Sequence, residues 1–307
     1  MPGSSRRRRA RSAAVHVVAV ALTACASVAC GSASDAGGGG KLVVVAAENV
    51  WGNIAAQIGG GHVSVTSIIS DPQADPHTYE TDPRDAAAIS GAPVVIENGA
   101  GYDDFVDRLL STNPNAHRDV LNIARTVAVG GGNPNPHLWY DPGYVTRAAT
   151  AIADHLASDD AADASAFHSN LRTFLTAYQP YIDTLNTIRS KYRDDPIAYT
   201  ERVPGYLVQY AGLRLATPAS FAQAVEDGNE PGPGDTAAMN AAISEKLVKV
   251  LLYNSQVSSP ATEMVKSLAA RSGVPVVGVS ETIPASEPTM QRWQIDQAEA
   301  ILAALGR

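Results

Sequence analysis

Two histidines and two glutamates have the residue types and the surroundings for chemistry. His77 lies in "DPHTYE" and His137 in "NPNPHLWYDP", beside prolines and aromatics, while Glu201 closes the run "AYTE" and Glu281 closes "VGVSE". Intervals of 60, 64 and 80 residues separate them, so only a tertiary fold can bring them together. Imidazole nitrogen favours transition metals over calcium or magnesium, and carboxylates add charge and harder oxygen donors. Converged, the four make a His2Glu2 site for a borderline divalent cation, and full enclosure by protein ligands suits carriage better than catalysis. The plain alternative for His137 is a loop histidine in a turn built by Asn-Pro pairs.

The elements that would position these residues alternate. "KLVVVAA", "HVSVTSII", "APVVIEN" and "RDVLNIA" are strand-like, and "NVWGNIAAQIGG", "TDPRDAAAIS" and "YDDFVDRLLS" have helical spacing, the second with Thr81 as N-cap and a proline just inside. About fifty residues without a strand follow, including "ADASAFHSNLRTFLTAYQPYIDTLNTIRSKY". Its apolar face runs Phe167, Leu171, Phe174, Tyr178, Ile182, Leu185 and Ile188, and Pro180 predicts a kink or a break. Alternation then resumes with "PIAYTE", "LRLATPAS", "KVLLYNS" and "VPVVGVSE" as strands. This pattern predicts an α/β protein of two (βα)4-type lobes with mostly parallel sheets, joined by one long helix. All four candidates then fall at carboxyl ends of strands, two from each lobe, and a site in the interlobe cleft is expected.

The expected organisation is a signal peptide at 1–30, a flexible tether at 31–40, a first lobe at 41–158, the linking helix at 159–194 and a second lobe at 195–307. "MPGSSRRRRARS" and "AAVHVVAVALTACASVA" form a basic stretch and an apolar stretch too short for a comfortable membrane span, the pattern of an export signal. Its removal takes five arginines and no acidic residue, leaving eighteen basic against 31 acidic residues, a net charge of −13. So acidic a body argues against nucleic acid and favours a cationic ligand. Cys25 and Cys30, in "LTAC" and "SVAC", are the two cysteines, and cleavage at either leaves no disulfide pair to hold the exported domain.

"DPHTYE", "VVIENGAGYDDFVDRLL", "NPHLWYDP", "YTERVPGYLVQYAGL" and "VPVVGVSETIP" agree in order and spacing with a known family. From Lys41 to the C-terminus the chain resembles the solute-binding lipoproteins of bacterial zinc and manganese ABC importers, the metal-binding cluster A-I type. The resemblance implies two α/β lobes on a rigid long helix and a monomeric receptor carrying one divalent metal, Mn2+ or Zn2+, to a cognate permease and its ATPase. It puts the metal ligands on His77, His137, Glu201 and Glu281. The family usually has aspartate at the fourth position, and the longer glutamate alters the geometry there. Zinc-type members often carry a His/Asp-rich loop after the first ligand; "TYETDPRDAAAIS" has none and leans towards manganese, although intrinsic affinity favours zinc. Cys25 or Cys30 resembles the lipobox cysteine, which implies a lipid anchor at the outer face of the cytoplasmic membrane.

Other polar residues read more plainly. His62, His117, His155 and His168 lack a motif and are expected to be solvated or packed. Glu80 would orient the His77 turn, Asp141 would serve the site from behind His137 or cap a helix before Pro142, and "VEDGNEPGPGD" reads as a solvated acidic loop. A metal-dependent adhesin of the same fold is compatible with this sequence. A zinc-type metallohydrolase could use similar ligands, but neither "HExxH" nor "GxSxG" occurs, so no enzyme is expected.

Overall fold

The computed structural model describes residues 40–71 and 79–307. Its first half runs β1 (Leu42–Glu48), α1 (Asn49–Gly59), β2 (Val63–Ile69), α2 (Pro83–Gly91), β3 (Val94–Glu97), α3 (Asp104–Thr112), β4 (Asp119–Asn122) and α4 (Ile123–Thr126). Helices α5 (Pro142–Asp159) and α6 (Ala164–Tyr192) come next. The second half contains β5 (Pro196–Tyr199), α7 (Gly205–Tyr210), β6 (Arg214–Leu215), α8 (Ala219–Glu226), α9 (Pro233–Ser244), β7 (Leu251–Asn254), α10 (Pro260–Ser272), β8 (Val276–Val279) and α11 (Met290–Leu305).

Both sheets are parallel and have the same order, β2-β1-β3-β4 and β6-β5-β7-β8. In each, the chain reverses its direction of travel beside the first strand, and such switch points open a crevice at the carboxyl edge. The expected strand in "LRLATPAS" shrinks to two residues. The Thr217 hydroxyl takes over the ladder there, accepting from Tyr199 N at 2.8 Å and donating to Tyr199 O at 2.9 Å, and Pro218 follows. The expected cap of α2 also moves by one residue. Asp82, not Thr81, accepts from the amides of Arg84 and Asp85, because this puts Pro83 in the first helical position and lets Asp85 complete a capping box.

Helix α6 packs against α1, α5 and α11 and so meets elements of both halves. Its 29 residues extend about 45 Å at 1.5 Å per residue. The buried face includes Tyr181 in place of Ile182, because alternating steps of four and three (174, 178, 181, 185, 188) track one side of a helix more closely. Phe167, Phe174, Tyr178, Tyr181 and Ile188 belong to one apolar cluster that reaches from Val44 of the first sheet to Leu252 of the second.

Pro180 does not break this helix, which runs unbroken through it. Pro180 and Thr176 are both exposed, so water can satisfy the Thr176 carbonyl that loses its intrahelical partner. Pro180→Ala restores that bond on an exposed face. The variant is expected to gain about 2 kcal/mol of stability, somewhat less than the full proline penalty, read as a higher urea midpoint at unchanged slope.

Candidate functional site

His137 enters the site from an anchored turn. Leu138–Tyr140 form one 3-10 turn, and all three residues are fully buried. Gln294 Nε2 donates to the Trp139 carbonyl at 2.5 Å, and the Tyr140 hydroxyl lies 2.8 Å from both Ser280 O and Gln297 Oε1. Burial pushes the Tyr140 phenol far above its ordinary range, so it stays a neutral hydrogen-bonding group. Asp141 takes the helix-cap role, accepting from Tyr144 N at 2.9 Å at the start of α5. Tyr102 and Trp139 meet the His137 ring edge-on, with centroids at 5.6 Å and 5.5 Å.

The hydrogen bonds fix which nitrogen of His137 carries its proton. Asn135 Nδ2 donates to Arg202 O at 2.7 Å, and a carbonyl can only accept. The other amide atom, Oδ1, is therefore the one 2.7 Å from His137 Nδ1, and Nδ1 must donate to it. Nε2 is left with its lone pair directed towards Glu281 Oε2 at 3.2 Å. Two lone-pair-bearing atoms so close require a positive charge between them, a proton or a metal ion.

The second half supplies the acids from its carboxyl edge. Glu201 follows β5 by two residues and Glu281 follows β8 by two, and they are 1% and 0% exposed. Asn254, the last residue of β7, donates to Glu201 Oε2 at 2.9 Å and to Glu281 Oε1 at 2.8 Å, while the Tyr102 hydroxyl donates to Glu281 Oε2 at 2.9 Å. Arg202 is next in sequence to Glu201 but spends its charge on Glu226, through bonds of 2.9 Å and 2.5 Å. That pair also corrects the acidic-loop reading: Glu226 ends α8 and is buried, and Asp235 sits in the first turn of α9.

The structure thus brings His137 and Glu281 into direct contact and joins Glu201 to them through Asn254. His77, Cys25 and Cys30 lie outside the described residues. Among the described residues no three His, Cys, Asp or Glu side chains stand as a complete metal-holding group. The other histidines among the described residues face outward or pair with carboxylates: His62 with Asp163 at 2.6 Å, His155 with Asp119, and His168 with Asp154 at 3.9 Å. Glu80 and His117 are exposed. A groove of about 520 Å³ between β8 and α11 is lined by Ser255, Val277, Trp293 and Gln297, among others, but not by His137, Glu201 or Glu281.

Sequence reading missed three residues here: Asn135, Asn254 and Tyr102. Asn254 had a visible signal, since "KVLLYNS" ends in polar residues as the strands before Glu201 and Glu281 do. It also missed a buried acidic group at the carboxyl edge of the first sheet. Glu48, 0% exposed, has its carboxyl pushed well up by burial and then by neighbouring Asp103. Burial raises Asp103 from 3.8 to about 7 against the pull of the Gly99 and Asn98 amides, which donate to it at 2.8 Å and 2.6 Å. Glu97 is also raised by burial.

Residues 44–304 match the family described as zinc-uptake complex component A, periplasmic. A manganese-binding lipoprotein of Halalkalibacterium halodurans is 27% identical over 169 residues, spanning about half, 54%, of each chain. A manganese-binding lipoprotein of Bacillus subtilis is 24% identical over 278 residues, 87% of each. The SBP FpvC from Pseudomonas aeruginosa in complex with Mn2+ superposes with a TM-score of 0.73 at 21% identity, over 87% of this chain and 99% of that one. The Mn-bound periplasmic metal-binding protein from Candidatus Liberibacter asiaticus gives 0.70 at 18% identity, over 86% and 100%. At these identities the structures establish the shared fold: two parallel sheets, flanking helices and a long helix.

The buried acids set an expected pH dependence. A carboxyl whose pKa is raised in the fold favours folding while both states hold the proton, and that advantage is lost as pH rises from the unfolded value towards the folded one. For Asp103 this window lies between about pH 4 and 7, and for Glu48 it begins near 4.5. Glu48→Gln, which cannot ionise, is expected to be more stable than wild type at pH 8 by roughly 1–3 kcal/mol and nearly equal to it at pH 4, measured by urea unfolding.

Proposed function

This chain belongs to the zinc-uptake complex component A family, and from that premise we propose that it is the extracytoplasmic metal receptor of an ABC importer, a binding protein and not an enzyme. It captures one divalent transition metal, manganese or zinc, as cargo and hands it to a membrane permease driven by a partner ATPase. His77, His137, Glu201 and Glu281 are the proposed ligands, with the two halves closing on the ion between them. Lipidation at Cys25 or Cys30 would anchor a monomer to the outer face of the cytoplasmic membrane, through a tether at 31–40.

One observation supports the ligand set above the others. His137 directs Nε2 at a buried carboxyl group while its Nδ1 is held by an amide oxygen, and a second buried carboxyl group is tied to the first by a neutral amide. A divalent cation satisfies all three at once, where a proton satisfies only one contact. A metal-binding imidazole usually donates its other N–H to an oxygen acceptor that fixes the ring plane and the tautomer, and the Asn135 amide oxygen is placed to do this for His137.

Chelator-competition titration with Zn2+ and Mn2+ tests this reading. His137→Ala and His77→Ala are each expected to weaken binding by more than the roughly 10–100-fold that loss of an outer partner costs. Metal content equal to wild type in both variants would remove the site.

A further inference from the structure

Strand β7 lies between β5 and β8, so its last residue, Asn254, stands between the two carboxylates at the edge of the sheet. Asn254 is 1% exposed. Its Oδ1 accepts from Gln256 N at 3.1 Å, which fixes the orientation of the amide, and its single nitrogen reaches Glu201 Oε2 and Glu281 Oε1. Both amide hydrogens are thereby committed, one to each acid. Gln256 braces the same edge: its Oε1 accepts from Glu281 N and from Thr282 N, the second at 3.0 Å, and its Nε2 donates to Thr282 Oγ1 at 2.7 Å.

We propose that Asn254 is a positioning residue that sets metal specificity, by holding one oxygen of each carboxylate and so presenting Glu201 and Glu281 to a cation through one oxygen apiece. The inference rests on the metal-receptor reading and deepens it. A cation drawing on Glu201 Oε2 or Glu281 Oε1 as well would be driven towards the partly positive amide hydrogens. Chelation through both oxygens, which enlarges the coordination shell, is disfavoured for each acid. An ion content with four donors gains over one that takes five or six: zinc is commonly four-coordinate in proteins, whereas manganese suits octahedral, oxygen-rich sites. The amide thus turns a carboxylate pair that leans towards manganese by its chemistry into one that selects zinc by its geometry.

The test uses Zn2+ and Mn2+ in chelator competition, with Co2+ as a spectroscopic probe of coordination number, on wild type, Asn254→Leu and Asn254→Asp. Neither replacement can donate to both acids, and thermal melting checks that each folds. The wild type is expected to prefer zinc and to give the intense visible bands of four-coordinate Co2+. The ratio of zinc to manganese affinity should fall by roughly 10–100-fold in the variants, with fainter Co2+ bands as the shell expands. Faint bands in the wild type, or an unchanged ratio in the folded variants, would overturn the inference. His137→Ala separates the two readings: if it binds both ions as wild type does, the receptor site itself fails. If it loses both while the Asn254 variants match wild type, only the specificity role fails.

Discussion

Two buried carboxyl groups tied together by one asparagine are the constraint on which the rest of this structure depends. Glu201 and Glu281 are enclosed, and the groups that hold them include an amide, a phenol and an imidazole. The arginine next to Glu201 in sequence is bound to a different glutamate. The amide and the phenol are neutral donors, which can stabilise a buried carboxylate without cancelling its charge, and the proposed cation site relies on that. An arginine there would pair with the acids and compete with the proposed cation.

The fold holds this arrangement together from both sides. Asn135 links the His137 ring to the backbone of Arg202, next to Glu201, and Tyr206 donates to the Asn135 carbonyl at 2.9 Å. Asn98 accepts from Trp51 Nε1 and donates to the Pro136 carbonyl, which carries the rigidity of α1 into the turn before His137. The apolar cluster around α6 backs all of this, so that shifting a ligand requires repacking large aromatic side chains.

How much of this could be read from the sequence divides by the range of the interaction. Strand-end placement of Glu201 and Glu281 follows from local alternation, and the long helix follows from its apolar spacing. Asn254 and Asn135 were not readable in the same way, because an asparagine gains its role only from what its two amide ends face across 27 or 67 residues of chain. The short β6 and the shifted cap of α2 have a related cause: in each, a side chain competes with the backbone for the same partner, which propensity does not capture. Pro180 misled in the opposite direction, since an exposed carbonyl finds water without any help from sequence neighbours.

Helix α1 makes a seam with the segment that follows Glu281. Asn49 pairs through both amide ends with the backbone of Ile283, Asn53 accepts from Met290 N at 3.0 Å, and Gln57 and Gln291 exchange bonds of 2.9 Å and 2.8 Å. The three residues of α1 recur every fourth position, along one stripe. Every contact in this stripe is between uncharged groups, so counter-ions have nothing to screen and protons have nothing to titrate. These contacts between the two halves therefore add no dependence of their own on ionic strength or acidity.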